Sequence, residues 1–530
     1  MTAVNKPLVF GGTLGGSPLS RAAQAGTLPG WYRSAPKSDA AWTTYGADVA
    51  SSVQAEWFDA LRSAIVPTGA AAARLERSAG GKGIVVTTGQ QPGLFGGPLM
   101  SLIKAISARA LADEIERATG MPVAPIFWAA TDDADFDEAA VVSVALDGGA
   151  RELRMDPHAA PGTPMSRVPL GEEMAELASR LREACGSSSH RSYLDSVLES
   201  YRSGTTVGDA YVAVLRRVLE PLAISVLDVS HPSVASAAAP LMRRAVDNAP
   251  AIAAAVRRRN EAIVAAGFTP QVDEVPGLSL VFLNTNSVKR RLSLPDASAL
   301  GALADNQFLS STVLLRPVLE RAILPTAAYV GGPGEIAYFA QLTAVAEALD
   351  VPTPLVVPRW SATILEPRIQ RVLDALGVSA DELAKPDAVE TRVAREHISP
   401  AALKALAELR ASVESGVDGL RAAAGELVPA PVLDGLHRSL EHRLARAERR
   451  LVAGVKRRET ELMRAVATAR GSLYPYGTPQ ERKLAYIPFL ARYGPELVND
   501  LLDGARAHAR LIVGSELAAA TVTTTASATA

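Results

Sequence analysis

Cysteine is nearly absent. Cys185 is the one thiol in 530 residues, which excludes an intramolecular disulfide and any metal site built on several cysteines. Histidine is scarce too: His158, His190, His231, His397, His437, His442 and His508 show no zinc-binding spacing. His437 and His442 stand five apart on one helical stretch and do not share a face. A zinc hydrolase and a Ser–His triad therefore have no support, and no residue is assigned to a metal. No uncharged apolar run approaches the ~20 residues needed to span a bilayer. The opening MTAVNKPLVFGGTLGG lacks the apolar core of a signal peptide. Neither sign of charge dominates, since 54 Lys and Arg against 56 Asp and Glu leave a formal charge of −2. No global basic field then draws the chain to nucleic acid or anionic lipid. No G-x-x-x-x-G-K-[ST] occurs, which excludes a Walker loop. The expectation is a soluble cytoplasmic protein without nucleic-acid or membrane partners.

What is present is ordinary globular chemistry. A hydrophobic share of 48% with 21% charged residues, over a chain this long, supports more than one core. The chain is organised around residues 83–138. GIVVTT (83–88) runs into GQQPGLFGGP (89–98), then an amphipathic segment, then a second apolar run ending in TDDADFDE (131–138). Two strand-length apolar runs around one helix-length segment form the pattern of a βαβ unit. Ligands of open parallel sheets sit outside the carboxyl ends of the strands, which makes these two loops the active-site half.

Before this unit, GGTLGG (11–16) reads as a flexible lead-in with no clear strand ahead of it. Residues 47–79 read as helical, with Val53, Trp57 and Leu61 at four-residue spacing. After the unit, 141–155 reads as a hairpin turning at Asp147-Gly148-Gly149. Helices follow at 171–184, 191–202 and 207–219, and a buried strand at 223–230. An Ala-rich helix reaches to about 248. LSLVFLN (278–284) and KRRLSL (289–294) pair around Asn284-Thr285-Asn286. TAAYV feeds a Gly-Pro loop and a helix within 314–342, and TPLVVP (353–358) is a further strand. Alternation of this kind over 80–360 argues for a doubly wound α/β core.

From about 396 the texture changes. Leu403, Leu406, Val413, Val417 and Leu420, then Leu433, Leu436, Leu440, Leu444, Ala447, Leu451 and Val455, repeat at threes and fours. This is a coiled-coil seam, expected as an antiparallel helical hairpin. Its basic stretch RRLVAGVKRR (449–458) is interleaved with Glu441, Glu448, Glu459 and Glu461 and reads as a solvated face. The expected domains are 1–395, a catalytic core with insertions; 396–470, the hairpin; 471–515, a return to the core; and 516–530, a disordered tail.

Three motifs carry candidate chemistry. In GQQPGLFGGP, Gly96 and Gly97 with the following helix N-terminus and Lys104 suggest an anion site, while Gln90 and Gln91 suit a carboxylate or a sugar hydroxyl. In TDDADFDE, Asp132, Asp133 and Asp135 crowd the end of a buried strand. A Ca²⁺ loop fails there, because Glu138 stands where glycine is needed and Val144 where glutamate is needed. A clamp on an ammonium group or Mg²⁺ remains, with some carboxyl pKa values raised by repulsion. GGPGEIA (331–337) matches a dinucleotide loop, but Asp350 comes too early and Glu366 too late for the ribose acid. Gly331, Gly332 and Gly334 therefore read as a second anion loop, with Tyr329, Glu335 and Tyr338 around the same pocket.

At these residues the chain resembles the bacillithiol biosynthesis enzyme family of cysteine ligases. The resemblance rests on TTGQQPGLFGGPLMSLIKAISARALA, PIFWAATDDADFDE, RPVLERAILPTAAYVGGPGEIAYFAQL, PRWSATILEP and LYPYGTPQER followed by RYGPEL, in order from about 17 to 505. It implies a Rossmann-like doubly wound core with helical insertions and a coiled coil that promotes homodimerisation. It also implies addition of cysteine to glucosaminyl-malate, forming an amide on the sugar amine. The family's acidic motif usually reads Glu-Asp-His-Asp-Phe, whereas this chain has Asp132-Asp133-Ala134-Asp135-Phe136. A methyl group replaces an imidazole. On this reading Asp132, Asp133 and Asp135 are catalytic, and Arg316 and Arg359 clamp a carboxylate. Activation of the cysteine carboxyl would call for a nucleotide such as ATP with Mg²⁺, which the residues leave open. A nucleotidyltransferase-like enzyme on another acceptor and a non-catalytic dimeric binding protein are the alternatives.

Overall fold

A computed structural model describes residues 6–28, 30–80, 82–285 and 288–514. The tail expected at 516–530 and part of the turn at Asn286 lie outside them. The chain forms two compact units. The larger takes Pro7–Val144, Glu152–Ile364 and the chain from Glu481, and the smaller takes Ala145–Arg151 and Leu365–Gln480.

The strands of the larger unit that position the site are β1 (Ile84–Gln90), β2 (Val123–Ala129), β3 (Ser225–Asp228), β4 (Leu278–Thr285), β5 (Val288–Ser293), β6 (Gln307–Ser311), β7 (Thr326–Gly331) and β8 (Val356–Pro358). Five of them form a parallel sheet in the order β8-β7-β1-β2-β3. All seven residues of β2 and the first six of β1 are buried. Parallel sheets are covered on both faces, so their strands read as continuous apolar runs rather than alternations. On one face Ala124, Ile126 and Trp128 pack against Trp57, Phe58, Leu61 and Leu75. Helix α1 (Leu99–Thr119) also packs on β1 and β2. The chain enters β1 from Gly83, where a Cβ would meet the Pro122 and Ser78 carbonyl oxygens at 2.5 Å. Only glycine fits that approach.

Strand order reverses between β1 and β7. The chain runs outward through β2 and β3, then returns to add β7 and β8 on the other side of β1. Such a switch point opens a crevice at the carboxyl ends, which is where ligands of this fold bind. Three helices stand near it: α2 (Phe136–Ala139), α3 (Arg316–Ile323) and α4 (Pro333–Ala348), the last following β7 directly. Beside them β5, β4 and β6 form an antiparallel sheet in that order, with Asn284 opposite both Lys289 and Phe308.

Three local expectations change. The segment 47–79 is not one helix but belongs to three, Asp39–Ser51, Trp57–Ile65 and Gly69–Gly80. Val66 is left-handed at φ 45°, and Pro67, which disfavours right-handed helix at the residue before it, ends the second helix. A short strand, Leu8–Gly11, does precede the glycine run at 11–16, and Gly12 N–H donates to Ser361 O at 2.8 Å. β6 was not expected, because Gln307, Ser310 and Ser311 give it no apolar pattern. The hairpin Val141–Leu146 with Gly149–Arg154 forms on left-handed Gly148, at φ 83°.

In the smaller unit, helices Pro367–Leu376, Ala388–Glu396 and Thr460–Leu473 share a core of Leu373, Val389, Val393, Val466 and Leu473. Two long helices, α5 (Pro400–Ala424) and α6 (Ala430–Arg458), pack as the expected hairpin. The leucines divide between two faces. Val417, Leu433, Leu444 and Val452 are buried, whereas Leu403, Leu420, Leu436 and Leu451 are 42%, 45%, 40% and 38% exposed. Each buried side chain stabilises by about 1.5–3 kcal/mol. Across the hairpin Arg421 meets Asp434 at 2.8 Å and Arg410 meets Glu448 at 3.5 Å. Of the basic stretch, Arg458 pairs with Glu459 at 2.8 Å and Lys456 with Asp387 at 3.6 Å, which suits a solvated face.

Candidate active site

The loop after β1 is a tight turn, not an anion cradle. Phe95, Gly96 and Gly97 follow one another in positive φ, at 55°, 90° and 86°. Gly96 N–H points to Gly93 O at 3.0 Å and to the Tyr201 hydroxyl at 3.2 Å, and Gly97 N–H to Leu94 O at 3.0 Å. Tyr201 in turn donates to Gly93 O at 2.8 Å. The Gly96 and Gly97 amides expected to hold an anion thus already have partners. Gly96, Gly97 and, after β7, Gly331 do not line the cleft described next.

A cleft of about 780 Å³ lies at the carboxyl ends of β1 and β7. It is lined by the expected Gln90, Gln91, Lys104, Asp132, Asp133, Arg316, Tyr329, Gly332, Gly334, Glu335, Tyr338 and Arg359. Residues from four separate stretches of sequence thus share one site at the switch point. Asp135 stands in a neighbouring cavity of about 450 Å³, together with Ala134. The two cavities share Asp133, Lys289, Ser311, Thr312 and Val313.

The inner cations of the cleft are paired. Lys104, 3% exposed in the middle of α1, gives its three donors to Gly89 O at 2.7 Å, Gln90 Oε1 at 3.0 Å and the Glu335 carboxylate at 2.6 Å. Glu335 also accepts from the Tyr329 hydroxyl and from Gly332 N–H at 2.6 Å. Burial alone would raise the Glu335 pKa, but the Lys104 charge and these hydrogen bonds hold it below the ordinary carboxylate range. Arg316 pairs with Glu320 at 2.8 Å, reaches the Tyr338 hydroxyl at 3.2 Å and lies 4.9 Å over the Tyr329 ring. Arg359 forks onto Glu481, with one bond of 2.9 Å. Burial pushes the Tyr329 and Tyr338 phenols up, so both remain hydrogen-bond donors at neutral pH. Arg316 and Arg359, expected as clamps for a ligand, are engaged by the protein's own carboxylates, and Lys104 is spent in the same way.

The acidic loop is more differentiated than its sequence suggests. Asp132 receives Lys289, whose ammonium donates to Asp132 O at 2.8 Å and stands 3.5 Å from its carboxylate. Asp135 caps α2 by accepting from Glu138 N–H at 3.1 Å. Asp133 accepts from the Gln91 amide at 2.9 Å and from Asp135 N–H at 2.8 Å. No cation pairs with it among the described residues. Glu138 shows the expected upward shift, caused first by burial and then by the Asp135 and Asp133 charges. Among the described residues no group of three or more His, Cys, Asp or Glu is placed to hold a metal ion.

Several lining residues escaped the sequence reading. Lys289 and Asn284 come from the antiparallel sheet, Trp128 from inside β2, and Arg482 from the closing motif. The charged run Lys289-Arg290-Arg291 was visible, but alternation along β5 and the fold itself decide which of the three reaches the cleft.

The comparisons extend over the same elements. The N-terminal Rossmann-like domain of bacillithiol biosynthesis BshC matches residues 55–360, and its C-terminal coiled-coil domain matches residues 362–509. A protein of Solibacter usitatus named "Putative cysteine ligase BshC" is 31% identical over 454 residues, covering 79% of this chain and 82% of that protein. Its namesake from Koribacter versatilis is 32% identical over 451 residues, covering 82% and 83%. Another from Salinibacter ruber is 29% identical over 454 residues, covering 80% and 81%. Among the described residues no helix is long and apolar enough to cross a membrane. With both domain models matched and the core and hairpin in place, the chain belongs to the BshC family of bacillithiol biosynthesis.

Proposed function

We propose that this chain is a cytoplasmic carbon–nitrogen ligase that joins the carboxyl of L-cysteine to the amine of glucosaminyl-malate, the last step of bacillithiol formation. The name its relatives carry supports the cysteine half of this reading. The observation that carries the chemistry is Asp133, a carboxylate of the cleft oriented by Gln91 and the Asp135 N–H but paired with no cation among the described residues. An amine substrate supplies the missing cation. Asp133 holds it as an ammonium and takes one proton to free the nitrogen for attack; the new C–N bond replaces a C–O bond of the cysteine carboxyl, whose oxygen departs as water or with whatever group activates it. Lys289, by neutralising Asp132, leaves the adjacent Asp133 as the base.

Neither glycine loop fits the phosphates of a nucleotide. In the first the Gly96 and Gly97 N–H groups already have partners, and in the second Gly332 N–H is taken by Glu335, whose charge also faces the N-terminus of α4. ATP with Mg²⁺ stays a proposed requirement, and no step is routed through it. The exposed leucines of α5 and α6 form, on this reading, the contact of a homodimer.

The test is mass spectrometry of purified protein incubated with cysteine and glucosaminyl-malate, with and without ATP and Mg²⁺. Bacillithiol is expected in the complete mixture, and its absence from both would overturn the ligase reading. Asp133→Asn should lower the rate by about 10²–10⁴-fold, the usual loss for a general base. Wild-type turnover in that variant would reject the assigned role.

A further inference from the structure

We infer that Arg482 is the residue that anchors the carboxylate end of the amine substrate. Besides Arg167, five cations line the cleft: Lys104, Lys289, Arg316, Arg359 and Arg482. The first four are matched by Glu335, Asp132, Glu320 and Glu481 respectively. Arg482 is exposed and has no carboxylate partner among the described residues. Arg167, which also lines the cleft, has a partner of its own. An unmatched guanidinium and the cation-free Asp133 therefore share one cleft. The ligand that satisfies both carries an amine and at least one carboxylate.

The mount of Arg482 argues for recognition rather than for a loose surface charge. Its neighbour Glu481 is 4% exposed and locked onto Arg359, and it accepts from Ala362 N–H at 3.3 Å. On the other side, Ser143 N–H donates to Lys483 O at 2.9 Å, Ala485 N–H to Ser143 O at 2.8 Å, and Leu99 N–H to Leu484 O at 2.7 Å. The chain is held immediately before residue 482 by the buried Glu481 side chain and immediately after it by backbone hydrogen bonds, while the Arg482 side chain is left uncommitted. Little ordering is then needed when a carboxylate docks, and the guanidinium fork suits bidentate carboxylate recognition.

The inference rests on the proposed amine substrate, and its test has an arm that does not need turnover. Kinetics of Arg482→Ala should show KM for glucosaminyl-malate raised by about 10- to 100-fold, the size expected for lost hydrogen bonds to a charged group. KM for cysteine should change less than about threefold. Arg482→Lys should recover part of the loss. Calorimetry of malate alone supplies the second arm: binding to wild type, lost in Arg482→Ala with an unchanged melting temperature, supports the anchor even if no ligase activity is found. A rise confined to KM for cysteine, or malate bound equally by both proteins, would overturn it.

Discussion

At Gly96 the backbone sits at φ 90°, and a Cβ would run into the Tyr486 phenol ring. At Gly334 a Cβ would meet nothing within 4 Å. The pair allows a comparison at residue scale. Gly96→Ala should destabilise by about 1–3 kcal/mol from the left-handed backbone alone, with the collision added, whereas Gly334→Ala should stay within about 0.5 kcal/mol. Urea unfolding of both variants reads the difference, and equal midpoints would contradict the structural role given to the first loop. The same residues show why that loop was misread from sequence. A glycine run announces unusual backbone but not what the backbone is unusual for, and the partners that decide, Tyr201 and Tyr486, lie more than a hundred residues away. Asp132, Asp133 and Asp135 tell a similar story: three like residues in one loop become a paired acid, a free acid and a helix cap.

At the scale of elements, α1 and α4 are joined through Lys104 and Glu335. Removing one partner of a buried pair leaves an uncompensated charge, so Glu335→Gln should cost about 3–5 kcal/mol. The Glu335 carboxyl is held below its ordinary value, which sets the pH dependence. Its contribution is complete above the ordinary carboxylate value of ~4.3 and is lost as pH falls through the lower native value. Melting temperatures of wild type and variant should therefore differ most near neutrality and converge on acidification toward pH 3. A gap that widened in acid would reject the pair. β1, β2 and β7 were legible because burial on both faces writes an unbroken apolar run, and the loop placement followed from strand direction. β6 was not, since its pairing with β4 is decided by tertiary neighbours rather than by its own composition.

Over the whole molecule, the α/β core and the hairpin were both readable from periodicity, which changes near residue 396. What periodicity could not resolve was which leucines face inward. Leu433 and Leu444 do, while Leu436 and Leu451 face outward, because spacings of three and four spread a wide stripe around a helix. The outward set supports the proposed homodimer. A Leu436→Glu, Leu451→Glu double variant should sediment as a monomer, with its unfolding midpoint at low protein concentration little changed because neither side chain is buried in the protomer. A dimer of undiminished affinity would place the contact elsewhere.

The matching of Lys104, Lys289, Arg316 and Arg359 by carboxylates bears on encounter as well as on binding. A cation and an anion in contact present only a short-ranged dipole, and Debye screening over about 8 Å at physiological salt removes most of what remains. An approaching carboxylate is therefore not pulled in by these four inner charges. It meets a cleft that is nearly silent at long range, and its capture depends on arriving by diffusion close enough to feel Arg482 at the rim. With the cation-free Asp133 opposing Arg482, arrival of the proposed substrate should then respond to ionic strength far more weakly than a tally of basic residues around the cleft would suggest.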